Sequence, residues 1–306
     1  MFLGGNLQQN DNFSIVCDQR EYAEQVQTIK LSKERRKQKD EPVTEPERRK
    51  LRGVIGAANW IMGNTRPDVA VHTAFLQQRV QRAVVGDLIE ANRLVAKIRD
   101  FASVNIVVQS IALHRCVFLV ASDASWANGE DLRSQAGYMI LFADKDIASG
   151  GSHRISPLRW KTYKQERHTQ STLGAELMGM SRAISEAEWL RSLLGAALNE
   201  KYQLSNDKFF REKFGLIVVI DNKPIYDHTC GVGVVVKDKR MAIDMLIVRR
   251  DIRENNISIK WVETKQMLVD ALTKMNASAD LLLKCLRSGT YCCTLMKTIS
   301  TPDTVI

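Results

Sequence analysis

Five consecutive apolar residues, Leu216-Ile217-Val218-Val219-Ile220, constrain this 306-residue chain more than any other stretch. A strand that is apolar at every position must be covered on both faces, which is the condition of a parallel strand inside an α/β sheet. The surrounding pattern agrees. Upstream, Cys116-Val117-Phe118-Leu119-Val120 and Gly137-Tyr138-Met139-Ile140-Leu141-Phe142 read as strands. Ile147-Ala148 and Leu158-Arg159-Trp160 supply a third, around the turn Ser149-Gly150-Gly151-Ser152. Three strands at short spacing predict an antiparallel meander. A long helix is expected from Thr172 to Ala197, with Leu177, Met180, Ile184 and Ala187 on its buried face. After the apolar strand come a helix at Lys239–Arg253, a strand at Ile257–Val262 and helices at Gln266–Lys274 and Ala279–Leu286. The expected fold is therefore α/β: a five-stranded mixed sheet flanked by helices.

A smaller, mostly helical region precedes it. Thr44 followed by Glu47 is a capping-box pattern, so a helix is expected from Pro46 to about Gly63. Pro67 ends it, further helix is predicted over Asp68–Arg82, and a third helix over Asp87–Phe101. Residues 33–52 hold nine basic and five acidic residues and are broken by Pro42 and Pro46, the signature of a solvated linker with short helical ends. The domain boundaries read from this are 1–103, 104–288 and a polar tail at 289–306. No apolar run reaches membrane-spanning length, so a soluble cytoplasmic or nuclear protein is expected. The six cysteines lack zinc spacing and read as free thiols. A net charge of +9 suits a polyanionic partner.

Four acids fall at informative places on this plan. Asp123 is expected just past the first strand, Glu176 in the first turns of the long helix, Asp221 at the end of the apolar strand and Asp270 in a C-terminal helix. Their spacings are 53, 45 and 49 residues. Carboxylates arriving from separate elements repel one another unless a cation sits among them. Oxygen ligands suit Mg²⁺, with Mn²⁺ as a substitute. Two such ions can hold the attacking water and the leaving oxygen of a phosphodiester hydrolysis. Near the third strand, Lys161 and Lys164 surround Trp160, and basic residues interleaved with aromatics can grip a nucleic-acid backbone.

The strings around these acids resemble one family, the ribonuclease H domain of Ty1/copia-type retrotransposon Pol polyproteins. Ser122-Asp123-Ala124-Ser125-Trp126-Ala127 with Arg133-Ser134-Gln135-Ala136-Gly137-Tyr138 is similar to S-D-A-D-W-A…R-R-S-T-S-G-Y. Leu158-Arg159-Trp160-Lys161-Thr162-Tyr163-Lys164-Gln165 is close to I-S-W-K-S-K-K-Q, and Gln170–Leu177 to S-S-T-E-A-E-Y. Glu186-Ala187-Glu188-Trp189-Leu190-Arg191, Asp221-Asn222-Lys223 and Val269-Asp270-Ala271-Leu272-Thr273-Lys274 follow in order. Further upstream, Leu51–Gly56 and Thr65-Arg66-Pro67-Asp68 resemble the segment that joins polymerase to ribonuclease H in these polyproteins, and residues 1–30 look like the end of a polymerase thumb.

The resemblance implies a ribonuclease H-like fold and a catalytic, metal-holding tetrad of Asp123, Glu176, Asp221 and Asp270. The implied substrate is the RNA strand of an RNA–DNA hybrid. By the same analogy Ser134 and Asn222 contact its sugar or phosphate. Three departures bear on this. The polymerase palm with its paired aspartates is absent, so the polymerase portion of a polyprotein is expected to be missing and DNA synthesis is not expected. Ala242 stands where the family often has a histidine, and the loop Trp261-Val262-Glu263-Thr264-Lys265 lacks the histidine of cellular ribonucleases H. Glu263 or Lys265 would then have to assist product release. Two rival readings follow: a catalytically inert nucleic-acid-binding remnant of a retrotransposon polyprotein, and a transposase or integrase on the same fold, which would use three carboxylates.

Overall fold

The computed structural model describes residues 4–199, 203, 207–231 and 238–294. The chain forms two compact units, one of Met1–Val108 with Lys274–Ser288, the other of Gln109–Thr273 with Gly289–Ile306. This division differs from the expected one in lying at 108 where 103 was expected and in giving Lys274–Ser288 to the first unit, where the helix Asp280–Ser288 packs against that unit's last strand.

The first unit carries a small sheet beside its helices. Strands β1 (Asn6–Gln9), β2 (Ile15–Asp18) and β3 (Asn105–Val108) pair antiparallel in that order. The apolar run Ile106-Val107-Val108 supplies the third of these strands. Helices α1 (Arg20–Gln25), α2 (Lys33–Lys37), α3 (Glu45–Asn64), α4 (Ala70–Arg79) and α5 (Val85–Asp100) build the rest. The capping box forms as expected: Thr44 Oγ1 accepts from Glu47 N, and Thr44 N donates to Glu47 Oε2 at 2.8 Å. Leu51, Val54, Ile55, Ala58 and Ile61 of α3 meet Leu88, Ala91, Val95 and Ile98 of α5 in one core. Arg66 and Asp68, within the string that ends α3, form a buried bidentate pair at 2.8 and 2.9 Å. Arg66 Nη1 also donates to the carbonyls of Ile98 and Phe101, which ties the α3–α4 corner to the end of α5.

The second unit is built on a six-stranded sheet. Strands β4 (Cys116–Ser125), β5 (Gln135–Asp144) and β6 (Gly151–Lys164) form the antiparallel meander. Helix α6 (Thr172–Leu198) follows, then α7 (Asp207–Lys213) and β7 (Leu216–Ile220), which lies parallel to β4. Helices α8 (Lys223–Cys230) and α9 (Lys239–Glu254) lead to β8 (Ile257–Trp261), parallel to β7. The last strand, β9 (Thr290–Cys293), pairs antiparallel with the start of β6. The order across the sheet is β8-β7-β4-β5-β6-β9. Phe118, Val120, Val218, Ile220 and Ile259 point to one face, where Leu177, Met180 and Ile184 of α6 and Val248 of α9 cover them. On the other face Leu119, Met139, Leu141 and Val219 are also buried, which explains why these strands read as continuous apolar runs.

Four local expectations are corrected. The sheet has six strands, because the segment read as the start of a polar tail contributes β9; residues 295–306 of that tail lie outside the described residues. Ile147-Ala148 sits in a 3₁₀ turn, Lys145–Ser149, and the third strand is longer than expected. Asp123 lies inside β4, paired with Gly137, not beyond its end. Gln266–Lys274 is not a helix but contains two 3₁₀ turns, Thr264–Gln266 and Asp270–Leu272. Its carbonyls are taken by tertiary partners instead of an i→i+4 ladder: Thr162 Oγ1 donates to Leu272 O at 2.6 Å and Asn128 Nδ2 to Thr273 O at 3.1 Å.

Candidate metal centre

Three elements deliver one carboxylate each. Asp123 is held near the end of β4 by its pairing with Gly137. Glu176 is placed by the start of α6, where Ser171 Oγ caps the helix by accepting from Gly174 N at 3.2 Å. Gln165 reinforces that start: its backbone N donates to Ser134 O at 2.8 Å, and its side chain donates to Ala175 O at 2.6 Å. Asp221 follows the last residue of β7, and Trp261 Nε1 from β8 donates to its carbonyl at 2.8 Å.

The result is a cluster in which Asp123, Glu176 and Asp221 each bring an oxygen within 4.8 Å of the other two. Asp123 is buried and the others are half-buried. An all-oxygen, all-anionic donor set of this spacing fits a hard divalent cation, which offsets the mutual repulsion of the three charges. Two neutral side chains hold the acids. Asn222 Nδ2 donates to Glu176 Oε1 at 2.9 Å, while its Oδ1 accepts from Ile225 N and caps α8. Thr273 Oγ1 donates to Asp123 Oδ2.

The fourth expected acid is not in this cluster. Asp270 opens the turn Asp270–Leu272, and its carbonyl oxygen lies 3.1 Å from Thr273 Oγ1. The polar side chains read as substrate contacts have partners within the protein. Ser134 is buried and its hydroxyl accepts from Ala127 N at 3.1 Å, and Asn222 is engaged as above. Lys164 Nζ lies 2.9 Å from Asp131 Oδ2. Arg133 first, then Lys164, hold that Asp131 carboxyl well below the usual range. Lys161 stacks over the Tyr163 ring at 5.9 Å. Strand alternation puts Lys161 on the opposite face of β6 from Trp160 and Lys164, so the three do not make one patch. Glu263 and Lys265 pair with each other at 2.6 Å. Thr273, Gln165 and Gly137 had no role assigned from sequence, although all three stand inside the quoted motif strings. Their importance lies in hydrogen bonds and close approach, which the strings do not display.

A cleft of about 710 Å³ runs along β6 and α6, and none of the three clustered carboxylates lines it. Its arginines are matched by acids: Arg159 with Glu186 at 3.2 Å, Arg182 with Glu166 at 3.6 Å, and Arg167 with Asp244. A smaller hollow of about 260 Å³ lies at the N-terminus of α6, lined by His168, Thr169, Ser171, Gly174 and Arg240 among others. Among the described residues no helix is long and apolar enough to cross a membrane.

A mixed sheet in this order, with acids at the end of its first strand, early in the following helix and after its fourth strand, defines a ribonuclease H-like fold. No family model matches the chain. By sequence its relatives are retrovirus-related Pol polyproteins of plant transposons. It is 24% identical over 230 residues to the Pol polyprotein from transposon RE1 of Arabidopsis thaliana, a match covering 73% of this chain and 14% of that protein. It is likewise 24% identical over 234 residues to that from transposon RE2 of the same plant, covering 75% and 14%. The chain thus spans about a seventh of the length of these relatives. Among solved structures, an N-terminal RNase H domain from Mycobacterium tuberculosis, determined as a fusion with maltose-binding protein, is 15% identical. That match covers 52% of this chain and 91% of the other, with a TM-score of 0.34.

Proposed function

We propose that the chain is a divalent-metal-dependent nuclease of the ribonuclease H type, hydrolysing the RNA strand of an RNA–DNA hybrid. The observation that carries this reading is the convergence of Asp123, Glu176 and Asp221 within 4.8 Å on an RNase H-like sheet. These three would hold Mg²⁺ or Mn²⁺, and Asp270 is proposed as the fourth ligand. Divalent ions bound there would activate a water and offset charge on the scissile phosphate and leaving oxygen.

The chain's own residues supply orientation. Asp123 is fixed by the β4–β5 pairing and by Thr273, Glu176 by Asn222, and Asp221 by the strand end and Trp261. The hollow at the α6 N-terminus, with Arg240 on its wall, suits a backbone phosphate, because the helix dipole and the guanidinium favour an anion there. Lys161, Lys164 and Trp160 are proposed as sugar–phosphate contacts on the two faces of β6, and Ser134 and Asn222 act on the substrate through the loop and the carboxylate they hold. Discrimination of RNA from DNA rests on the 2′-hydroxyl.

The test is cleavage of a labelled RNA–DNA hybrid with Mg²⁺ or Mn²⁺, comparing the wild-type chain with Asp123→Asn. Cleavage by wild type, reduced at least about a hundredfold in the variant, supports the enzyme. A folded wild-type chain that binds hybrid without cutting it would establish the inert nucleic-acid-binding module instead.

A further inference from the structure

Thr273 follows the turn Asp270–Leu272 and is fully buried. A hydroxyl has one hydrogen to give. Directed to the charged Asp123 Oδ2, that hydrogen makes the stronger bond available to it, and the Asp270 carbonyl is left as a neighbour. The position of the hydroxyl is fixed from several sides. Thr273 N donates to Asp270 O at 3.1 Å, and Asn128 Nδ2 donates to Thr273 O, also at 3.1 Å. One residue earlier, Thr162 Oγ1 donates to Leu272 O, while Gln135 Nε2 donates to that same Thr162 oxygen at 2.7 Å. The turn descends onto the strand pair at Gly137, the residue opposite Asp123. A Cβ at Gly137 would come 2.7 Å from Leu272 Cβ and 3.1 Å from Thr273 Cγ2. The absence of a side chain there lets Thr273 reach the acid.

We infer that Thr273 is a positioning residue: its hydroxyl fixes the rotation of the Asp123 carboxylate so that it meets Glu176 and Asp221 in a cation-binding arrangement. This rests on the metal-site reading above. The turn that carries Asp270 and the oxygen of Asp123 are thereby one hydrogen-bonded unit, so displacement of the turn displaces the ligand.

The experiment is Mn²⁺ titration of the full chain, followed by electron paramagnetic resonance or calorimetry, for wild type, Thr273→Val and Thr273→Ser. Thr273→Val keeps the shape and removes the donor; Thr273→Ser keeps the donor and removes a methyl. The expected result is Mn²⁺ affinity weakened roughly 10- to 100-fold in Thr273→Val and within a few-fold of wild type in Thr273→Ser. The Mg²⁺ concentration for half-maximal hybrid cleavage should rise in the valine variant, with KM for hybrid unchanged. If Thr273→Val gives no cooperative melt, Thr273→Ala takes its place. Equal affinity in wild type and the hydroxyl-free variant, or a serine variant as weak as the valine one, overturns the role of the hydroxyl and leaves the metal site standing. A wild-type chain that binds no Mn²⁺ overturns the metal site itself, and Thr273's role with it.

Discussion

Single residues inside the motif strings divide into those that could touch a substrate or cation and those that hold the frame, and the strings do not distinguish them. Arg66 shows the second kind. Its guanidinium is buried, bidentate to Asp68 and bonded to two carbonyls at the end of α5. Removing it leaves a buried carboxylate and two carbonyls without their donor, so Arg66→Met should cost about 3–5 kcal/mol in chemical denaturation. The double variant Arg66→Met with Asp68→Leu should recover part of that loss, since no charge then remains uncompensated. A single variant within about 1 kcal/mol of wild type would remove the pair from the account of the first unit. Arg191 is of the same kind. It is buried, and its Nη1 donates to Phe214 O and Asn255 O, fastening α6 to the ends of α7 and α9. Asp123, Glu176 and Asp221 were legible as acids at strand and helix ends. Thr273 was not, because a threonine three residues after an aspartate has no sequence mark of the carboxylate it will meet 150 positions away.

At the scale of elements, helix α3 was readable from its cap, and the cap carries a pH signature. Glu47 closes the capping box and receives Arg35 at 2.9 and 3.0 Å. The Arg35 hydrogen bonds first, then Thr44's, hold its carboxyl down at about 2 against an ordinary 4.5. A carboxyl with a depressed folded-state pKa stabilises above its unfolded value and loses that contribution as pH falls through the folded one. Thermal melts of wild type and Glu47→Gln should therefore differ most above about pH 4.5 and converge toward pH 2. A constant difference across that window would disconnect the cap from the titration. The segment 266–274 departs from the helix its sequence predicts. Thr162 and Asn128 claim its carbonyls, and Gly137 admits it against β5. Gly137→Ala should push the turn outward and cost about 1–3 kcal/mol, because Leu272 Cβ and a backbone carbonyl have little room to yield. Its thermal midpoint, measured beside that of a β5 control such as Ala136→Gly, checks the claim.

For the whole molecule, the order of strands from β4 to β8, with helices α6 and α9, was written in hydrophobic pattern, since a sheet buried on both faces leaves long apolar runs; the short helices α7 and α8 were not. What lay outside that pattern was short or tertiary. β1 and β9 are four residues each, too brief for alternation to register, and β3 reads the same whichever sheet it joins. The threading of the chain was the least visible of all. It passes between the two units at 108–109, returns at 273–274 to lay down the helix Asp280–Ser288, and leaves again at 288–289. That helix buries Leu282, Leu283, Cys285 and Leu286. Synthesis runs from the N-terminus, and units tend to fold as they emerge from the ribosome. The unit translated first is thus left incomplete until most of the second has been made, and it must wait for a helix encoded after the entire RNase H-like sheet save one strand. A nascent chain halted anywhere before residue 280 carries the first unit with that surface still uncovered.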